Sequence, residues 1–365
     1  MKKVLSAGAA LLLTTSIAQA GGIDRSGNAY SVLFEDGNYV QLSYSSVSPE
    51  VSGEYPGGTG STGNMAESYS SAGLALKYGI SEQLDLALFI NQPFGANADY
   101  GIGFYDGLSA TWDSTQVAAI AKYQVSSNIS VYGGLRAVES KAVIAIPDGL
   151  IRAGIAAGVE ANVPSAVPRP VPTTGPIFES FPEPLQNAIL AATSPPGALE
   201  YSAETESNTQ FGYVIGAAYE RPDIALRVSL TYESGMTHDF KTRETLPAAM
   251  ASNAGSTTDI EMPQSLALDF QTGVAADTLV FGSVRWSEWS VWEVRPTVYE
   301  SVTGNAVTGI DNDVFTYRLG VGRRISDELS VFGRVTFEDG NGGVASRLSP
   351  TDGSTSYGIG GTYTM

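Results

Sequence analysis

Over most of this chain apolar and polar side chains alternate one by one. In the run beginning at Val314, Phe315, Tyr317, Leu319 and Val321 fall on one side, and Thr316, Arg318, Gly320 and Gly322 on the other. After Ser326-Asp327-Glu328 the return run sets Leu329, Val331, Val335 and Phe337 against Ser330, Arg334, Thr336 and Glu338. A period of two is the signature of a strand, so Val314–Glu338 is expected to be a hairpin with one apolar and one polar face. The polar face carries full charges, which a packed soluble core does not tolerate without partners. The same alternation marks Leu84–Ile90, Val117–Tyr123, Ile224–Tyr232 and Leu266–Phe270.

Taken in order, the pattern predicts strands over Asn38–Ser48, Glu67–Gly79, Leu84–Phe94, Trp112–Val125, Ile129–Val143, Asn208–Glu220, Ile224–His238, Met262–Ala275, Leu279–Val291, Val314–Ile325, Leu329–Asp339 and Ser356–Met365. That is about twelve strands, each near or above the ~9–11 residues of a tilted membrane strand. Tight links such as Ile80–Gln83, Ser126–Asn128, Arg221–Asp223 and Ala276–Thr278 alternate with long ones, including Pro49–Ala66, Gly95–Thr111, Ile144–Ser207, Asp239–Glu261 and Trp292–Asp313. Short turns at one end and long loops at the other are the plan of an outer-membrane barrel. The expected fold is therefore all-β, an antiparallel transmembrane β-barrel.

Composition narrows this reading. The 365 residues include 41 Gly and 18 Tyr but no Cys and a single His, and 16% are charged. Disulfides and thiolate metal sites are excluded. A net charge of −18 argues against nucleic-acid binding, which needs a basic footprint. Lys2-Lys3, the apolar run Val4–Leu13 and Ala18-Gln19-Ala20 have the layout of a secretory signal peptide over residues 1–20. No later stretch is long and apolar enough for a membrane helix, so a membrane location requires a closed sheet. The expected layout is a short hatch-like segment at 21–37 and a barrel over 38–365, with 144–207 a long extracellular loop.

No catalytic constellation stands out. His238 is the only histidine and no elbow motif marks a serine, so no enzyme is expected. The glycine clusters lack the strand–loop–helix context of a phosphate cradle, and the Asp-Asn-Asp and Asp-Gly-Asn-Gly runs need only turn chemistry; no cofactor or metal is expected. The loop 144–207 is apolar, with helical signals at Gly149–Val163 and Leu185–Thr193. Its Ile151, Ile155, Phe178, Phe181 and Leu185 either cap the barrel mouth or form an exposed groove that captures a hydrophobic ligand. If the apolar faces meet lipid, then Lys77, Lys122, Arg136, Arg227, Arg285, Arg318, Arg324 and Arg334 face the lumen, opposed by Asp85, Asp269 and Glu338. Such residues either pair with hatch and loop carboxylates such as Glu35 and Asp36, or line a path that attracts an anionic head group.

Asn91-Gln92-Pro93-Phe94-Gly95, Trp286-Ser287-Glu288-Trp289-Ser290 and Met262–Leu268 entering a strand, set in this strand plan, resemble the outer-membrane long-chain fatty acid transport family, which includes aromatic-hydrocarbon uptake proteins. The resemblance implies a monomeric fourteen-stranded barrel among outer-membrane lipid and lipopolysaccharide, with an N-terminal hatch and ligand capture by extracellular loops. It also implies an inward kink in the third strand that releases ligand sideways, here at Asn91, Pro93, Phe94 and Gly95. Pro93 supports a kink independently, since it cannot donate to a ladder. Two features depart from the family: residues 21–37 are brief and lack its Asn-Pro-Ala motif, which suggests a more open lumen; and about twelve strands, ending without a terminal aromatic, suggest a fragment missing one last hairpin.

The expected function is passive uptake of long-chain fatty acids or similar hydrophobic compounds across the outer membrane. The alternative is a general porin or a structural or adhesive barrel with no specific lipid ligand.

Overall fold

A computed structural model describes residues 23–25, 30–55, 60–247, 251–340 and 353–363. The leader-like segment 1–20 lies outside these. Among the described residues eighteen strands follow one another: β1 (Tyr39–Val47), β2 (Tyr69–Gly79), β3 (Leu84–Asn91), β4 (Gly95–Asp99), β5 (Ser109–Gln124), β6 (Ile129–Ile146), β7 (Tyr201–Thr205), β8 (Asn208–Arg221), β9 (Leu226–Glu233), β10 (Met236–Leu246), β11 (Ala251–Met262), β12 (Ser265–Ala275), β13 (Thr278–Ser287), β14 (Glu293–Val294), β15 (Thr308–Gly309), β16 (Val314–Arg324), β17 (Leu329–Glu338) and β18 (Ser354–Tyr363). The wall runs β1-β2-β3-β5-β6-β8-β9-β12-β13-β16-β17-β18, so its twelve members are ordered as in the chain. Among the described residues, β1 ladders only to β2, and β18 only to β17.

The wall is inside-out relative to a soluble protein. On β8, Phe211, Tyr213, Ile215 and Tyr219 are exposed while Val214 and Ala218 are buried. On the β16–β17 hairpin, Phe315, Tyr317, Leu319, Val321, Val335 and Phe337 face out, while Arg334, Thr336 and Glu338 are buried. This outward band has a sharp edge. Val117 on β5 sits opposite Ala137 on β6, both outward; two and four residues further up come Thr115 opposite Glu139 and Asp113 opposite Lys141, the last an exposed ion pair. Charge outside and no apolar row mark where lipid contact ends.

Above that edge stands a second tier which the periodicity does not announce. β10 and β11 form a hairpin, β10 also pairs with β7, and β7 continues the β6 edge beyond the end of β8. The sequence predicts one strand over Ile224–His238 and a loop over Asp239–Glu261. The chain instead breaks between Glu233 and Met236 and resumes as strand outside the membrane. The missed strands are rich in Thr and charge; outward Thr237, Asp239, Lys241 and Arg243 face water, so no apolar stripe advertises them. Helices α1 (Asp148–Asn162), α2 (Pro176–Glu179) and α3 (Glu183–Ala192) cover this tier, as does α4 (Thr297–Thr303).

The lumen-facing side is not more open for having a short N-terminal segment. A 3₁₀ turn at Tyr30–Phe34 buries Tyr30, Val32 and Leu33 against Ala75, Ala87, Phe89, Ala118, Ile120, Tyr132, Val214 and Ala218. Alanines on four inward positions let this turn of chain sit close against the wall.

The inside-out pattern makes a prediction. Ile215→Arg, in the middle of the outward row of β8, should cost about 2–4 kcal/mol in urea unfolding from lipid vesicles. Glu139→Arg, above the band edge, should leave the midpoint unchanged.

Candidate functional site

Beside the third strand the wall loses its continuity. Asn91 on β3 pairs with Gln116, and Gly95 on β4 pairs with Asp113, so Gln92, Pro93 and Phe94 stand opposite only Ser114 and Thr115. This is a one-residue bulge on the strand that contains a proline, and bulges bend a strand. On the other side the β2–β3 ladder stops at Leu74 and Ile90, and contact is regained only where Glu67 N donates to Asn97 O at 3.0 Å and Ala66 bridges Ala98. Between these points Tyr69–Gly73 still pair with β1, so β2 keeps its course while the neighbouring strand turns inward. The sequence alone leaves open whether Pro93 ends its strand; here the strand resumes.

Backbone groups freed by the kink find other partners. Arg25 N donates to Pro93 O at 2.8 Å and Gly95 N to Ile23 O at 2.7 Å, with Asp24 bridging Phe94. Ser114 Oγ accepts from Phe94 N at 2.9 Å and donates to Phe94 O at 2.6 Å. The segment Ile23–Arg25 thus acts as a short extra strand inside the lumen. Its side chains fix it at both ends: Asp24 forms an ion pair with Arg285 on β13, and Arg25 bonds to Asn97 while its guanidinium lies 3.9 Å from the Tyr69 ring centre. A Cβ on Gly95 would meet the Arg25 guanidinium, so a larger residue there makes that side chain shift.

Most of the basic residues assigned to the lumen face inward and hold structure there. Lys77 and Lys122 lie 3.6 and 3.8 Å from Asp85; Lys122 donates to Leu33 O at 3.0 Å and Lys77 to Glu35 O. Arg136 pairs with Glu233 at 2.8 Å and donates to Ser234 O at 2.6 Å, while Tyr30 OH donates to Glu233 at 3.2 Å. Arg227 donates to Gln271 at 2.9 Å and lies over the Phe34 ring. Arg318 is half-buried and Arg334 buried on the far wall. Arg324 is taken up by Asp277 at the turn end. The hatch contributes mainly carbonyl oxygens rather than the carboxylates expected of Glu35 and Asp36.

Above the kink lies an apolar cavity of about 40 Å³. Ile23 and Ala96 from the kink region, Trp112, Ala142 and Ile144 from β5 and β6, Ile260 from β11, Trp292 from the link after β13 and Val294 from β14 line it, with five threonines and no charged residue. A cavity that holds benzene measures ~150 Å³, so a ring enters only if the lining yields. The loop residues Ile151, Ile155 and Phe178 are buried in the same apolar cluster, and Phe181 and Leu185 pack against it. They form a cap rather than an exposed groove. Sequence reasoning gave no role to Asp24, Arg25, Trp112 or Trp292; the only hint was that indoles sat at the loop-side ends of strands.

Two polar anchors hold the cap. Glu244 on β10 is fully buried; its carboxylate accepts from Tyr201 OH at 3.0 Å, Ser256 Oγ at 2.6 Å, and the amides of Val298 and Tyr299 at the start of α4, each at 3.0 Å. Burial and this carboxylate raise the Tyr201 phenol well above its ordinary range. Asp148 accepts from Arg152 at 2.8 Å and Leu199 N at 2.9 Å, and Arg152 reaches the Ala192 and Ser194 carbonyls at 2.9 and 3.0 Å, tying α1 to the end of α3. The Arg152 hydrogen bond holds Asp148 below the usual carboxylate range.

Residues 11–365 match the family model described as Outer membrane protein transport protein (OMPP1/FadL/TodX). Among solved structures, a Pseudomonas aeruginosa FadL homologue superposes with a TM-score of 0.62 at 14% identity, covering 91% of this chain and 79% of its own. The Ralstonia pickettii toluene transporter TbuX gives 0.56 at 14% identity over 91% and 82%, and the Pseudomonas putida toluene transporter TodX 0.55 at 11% over 94% and 88%. At these identities the likeness is one of fold. No curated protein sequence matches the chain.

Two outcomes are expected of the anchors. Glu244→Ala strands several buried donors and should cost about 3 kcal/mol, read as faster proteolytic cleavage between Val294 and Thr308. Asp148 has a depressed folded pKa, so its contribution is complete above the ordinary carboxylate pKa and is lost as pH falls through the lowered one. Cleavage within 147–200 should therefore rise on acidification in that window, and Asp148→Asn should show the raised cleavage already at neutral pH.

Proposed function

The chain belongs to the outer-membrane transport protein family of FadL and TodX, whose members carry hydrophobic compounds across the outer membrane, and from that premise we propose that it takes up small, uncharged hydrophobic molecules and releases them sideways at the third-strand kink. The observation that carries this reading is the adjacency of two features. Ile23 and Ala96 belong both to the cavity wall and to the kinked segment with its N-terminal partner. A ligand leaving the cavity downward meets the interrupted β2 ladder at once, at the upper edge of the outward apolar band.

The absence of charge around the cavity sets the ligand class. A fatty-acid carboxylate is held best by a cationic partner, and the described cavity lining has none. The inward lysines and arginines that might serve as a path for an anionic head group, Lys77, Lys122, Arg136 and Arg227, are engaged with the hatch and with one another's strands. Long-chain fatty acid uptake is therefore the weaker reading of ligand. The toluene transporters among the similar folds handle a compound of the favoured size and charge.

Deleting Pro93 leaves two residues opposite Ser114 and Thr115 and lets β3 and β4 run on as one strand beside β2. This variant should assemble with unchanged heat-modifiable mobility, and its uptake of radiolabelled toluene should fall to that of cells lacking the protein. Uptake at the original rate in the deletion variant rules out the sideways route. Saturable uptake of oleate but not toluene would overturn the ligand class, and a steady ion conductance in planar bilayers without saturable uptake of either would make the chain a porin.

A further inference from the structure

The wall is interrupted a second time, between β8 and β10. The β8–β9 ladder ends at Val214 opposite Glu233, and the β7–β10 ladder begins at Thr205 opposite Thr242. In the stretch between, residues 208–212 still pair with β6 and residues 236–240 with β11, yet among the described residues no ladder joins these two edges. Side chains close most of the seam instead. At its foot Ser234 N donates to Tyr213 O at 3.0 Å, and the Ser234 hydroxyl accepts from Tyr213 N at 2.9 Å. Across its middle Asn208 Nδ2 donates to Asp239 O at 3.2 Å, Gln210 donates to the Asp239 carboxylate, and Asn208 Oδ1 lies 2.9 Å from His238 Nδ1. At its head Glu206 N donates to Lys241 O at 2.8 Å.

The seam stands at and above the top of the outward apolar band. Phe211 is opposite Ala137 at the edge, and Thr209 is opposite Glu139 beyond it. Backbone groups freed from Thr209 upward therefore meet water, whereas in lipid the same parting would leave them unsatisfied.

Behind the seam lies the cavity. Thr205 and Thr242 line it, and below them the buried Phe240 and His238 pack against Trp112, another lining residue, at 5.6 and 6.4 Å between centroids. A larger cleft of about 670 Å³, lined by the exposed side chains of Glu204, Glu206, Lys241 and Arg243, borders the same Thr205 and Thr242. One pair of threonines thus stands between an apolar space and a polar one. The cap, by contrast, is fastened from within: Ile151, Ile155 and Phe178 are buried in it, and Glu244 and Asp148 hold its helices. Above the seam, only the four ladder pairs from Thr242–Thr205 to Thr245–Ser202 join β10 to β7.

Resting on the uptake reading above, we propose that this seam is the entrance. β10 swings away from β7 and β8, and a small hydrophobic molecule passes from the outer cleft past Thr205 and Thr242 into the cavity. The cavity then stands between two openings, with the seam on one side and Ile23 and Ala96 of the kink on the other.

The chain has no cysteine, so a disulfide can be placed at the head of the seam alone. Thr205→Cys with Thr242→Cys puts two thiols on facing residues of an antiparallel pair, whose Cα separation suits a disulfide. In cells carrying this variant, uptake of radiolabelled toluene should fall on oxidation to that of cells lacking the protein. It should return on reduction with dithiothreitol, with mass spectrometry of the isolated protein confirming the bond. Equal uptake in the oxidised and reduced forms overturns the entrance and leaves hydrophobic uptake standing. Absence of uptake in the unaltered chain overturns both. Should the double variant fail to assemble, to oxidise or to transport when reduced, Asn208→Ala decides. Removing that amide loosens the middle of the seam, and initial toluene uptake should rise about fivefold, the weight of one ordinary hydrogen bond. An unchanged or lower rate overturns the proposal.

Discussion

A strand in lipid has no water to turn to, so every backbone N–H and C=O must be satisfied within the protein. That constraint shows most plainly at the interruption beside the third strand. Opening a gap between β2 and the third strand frees a row of donors and acceptors near the hydrocarbon. The gap exists because other groups take them: the backbone of Ile23–Arg25 bonds to Pro93 and Gly95, and the Ser114 hydroxyl both donates to and accepts from Phe94. Pro93 contributes by having no N–H to satisfy. A hole in a barrel wall is thus a property of the segment inside the barrel as much as of the strand that bends.

The same accounting explains the charges. An acidic protein with inward arginines and lysines suggests a channel tuned for anions, but side chains in a narrow interior must be paired before they can attract anything else. Arg136 with Glu233, Lys77 and Lys122 with Asp85, and Arg285 with Asp24 satisfy one another between elements of the wall and its inner segment. Together with the lysine contacts to the carbonyls of Leu33 and Glu35 they fasten a very short N-terminal segment. A longer hatch is not needed to fill a lumen whose inner positions are so often alanine.

How much of this was legible follows from the same physics. The wall was, because lipid contact forces an apolar residue at every second position; the outward row Phe315, Tyr317, Leu319 and Val321 can be read directly. The kink was partly legible, since Pro93 in a strand has few explanations. The hairpin of β10 and β11 was not: outside the membrane one face meets water and the other a threonine-lined space, so no hydrophobic period remains. The partners of the kink were invisible for a different reason. Asp24 and Arg285 are separated by most of the chain, and nothing local to either residue signals the other. Trp112 and Trp292, which line the cavity, carry an apolar ring that suits an interface girdle as well as a binding site, so their residue type alone could not place them.

The arrangement also couples two elements that could have been independent. Arg25 stands over Tyr69 on one side of the gap and bonds to Asn97 on the other, so it spans the interruption. The preceding residue, Asp24, is held by Arg285 on the opposite wall, and Ile23 before it lines the cavity. Three consecutive residues therefore touch the binding space, the far wall and the opening. A ligand large enough to press on Ile23 acts on a segment whose backbone hydrogen bonds close the kink, and displacing it costs those bonds and the Arg25 contacts together. In the proposed sideways exit that cost stands unless the ligand itself shields the freed groups. Cavity and gap are in this way joined through the backbone hydrogen bonds of the same three residues.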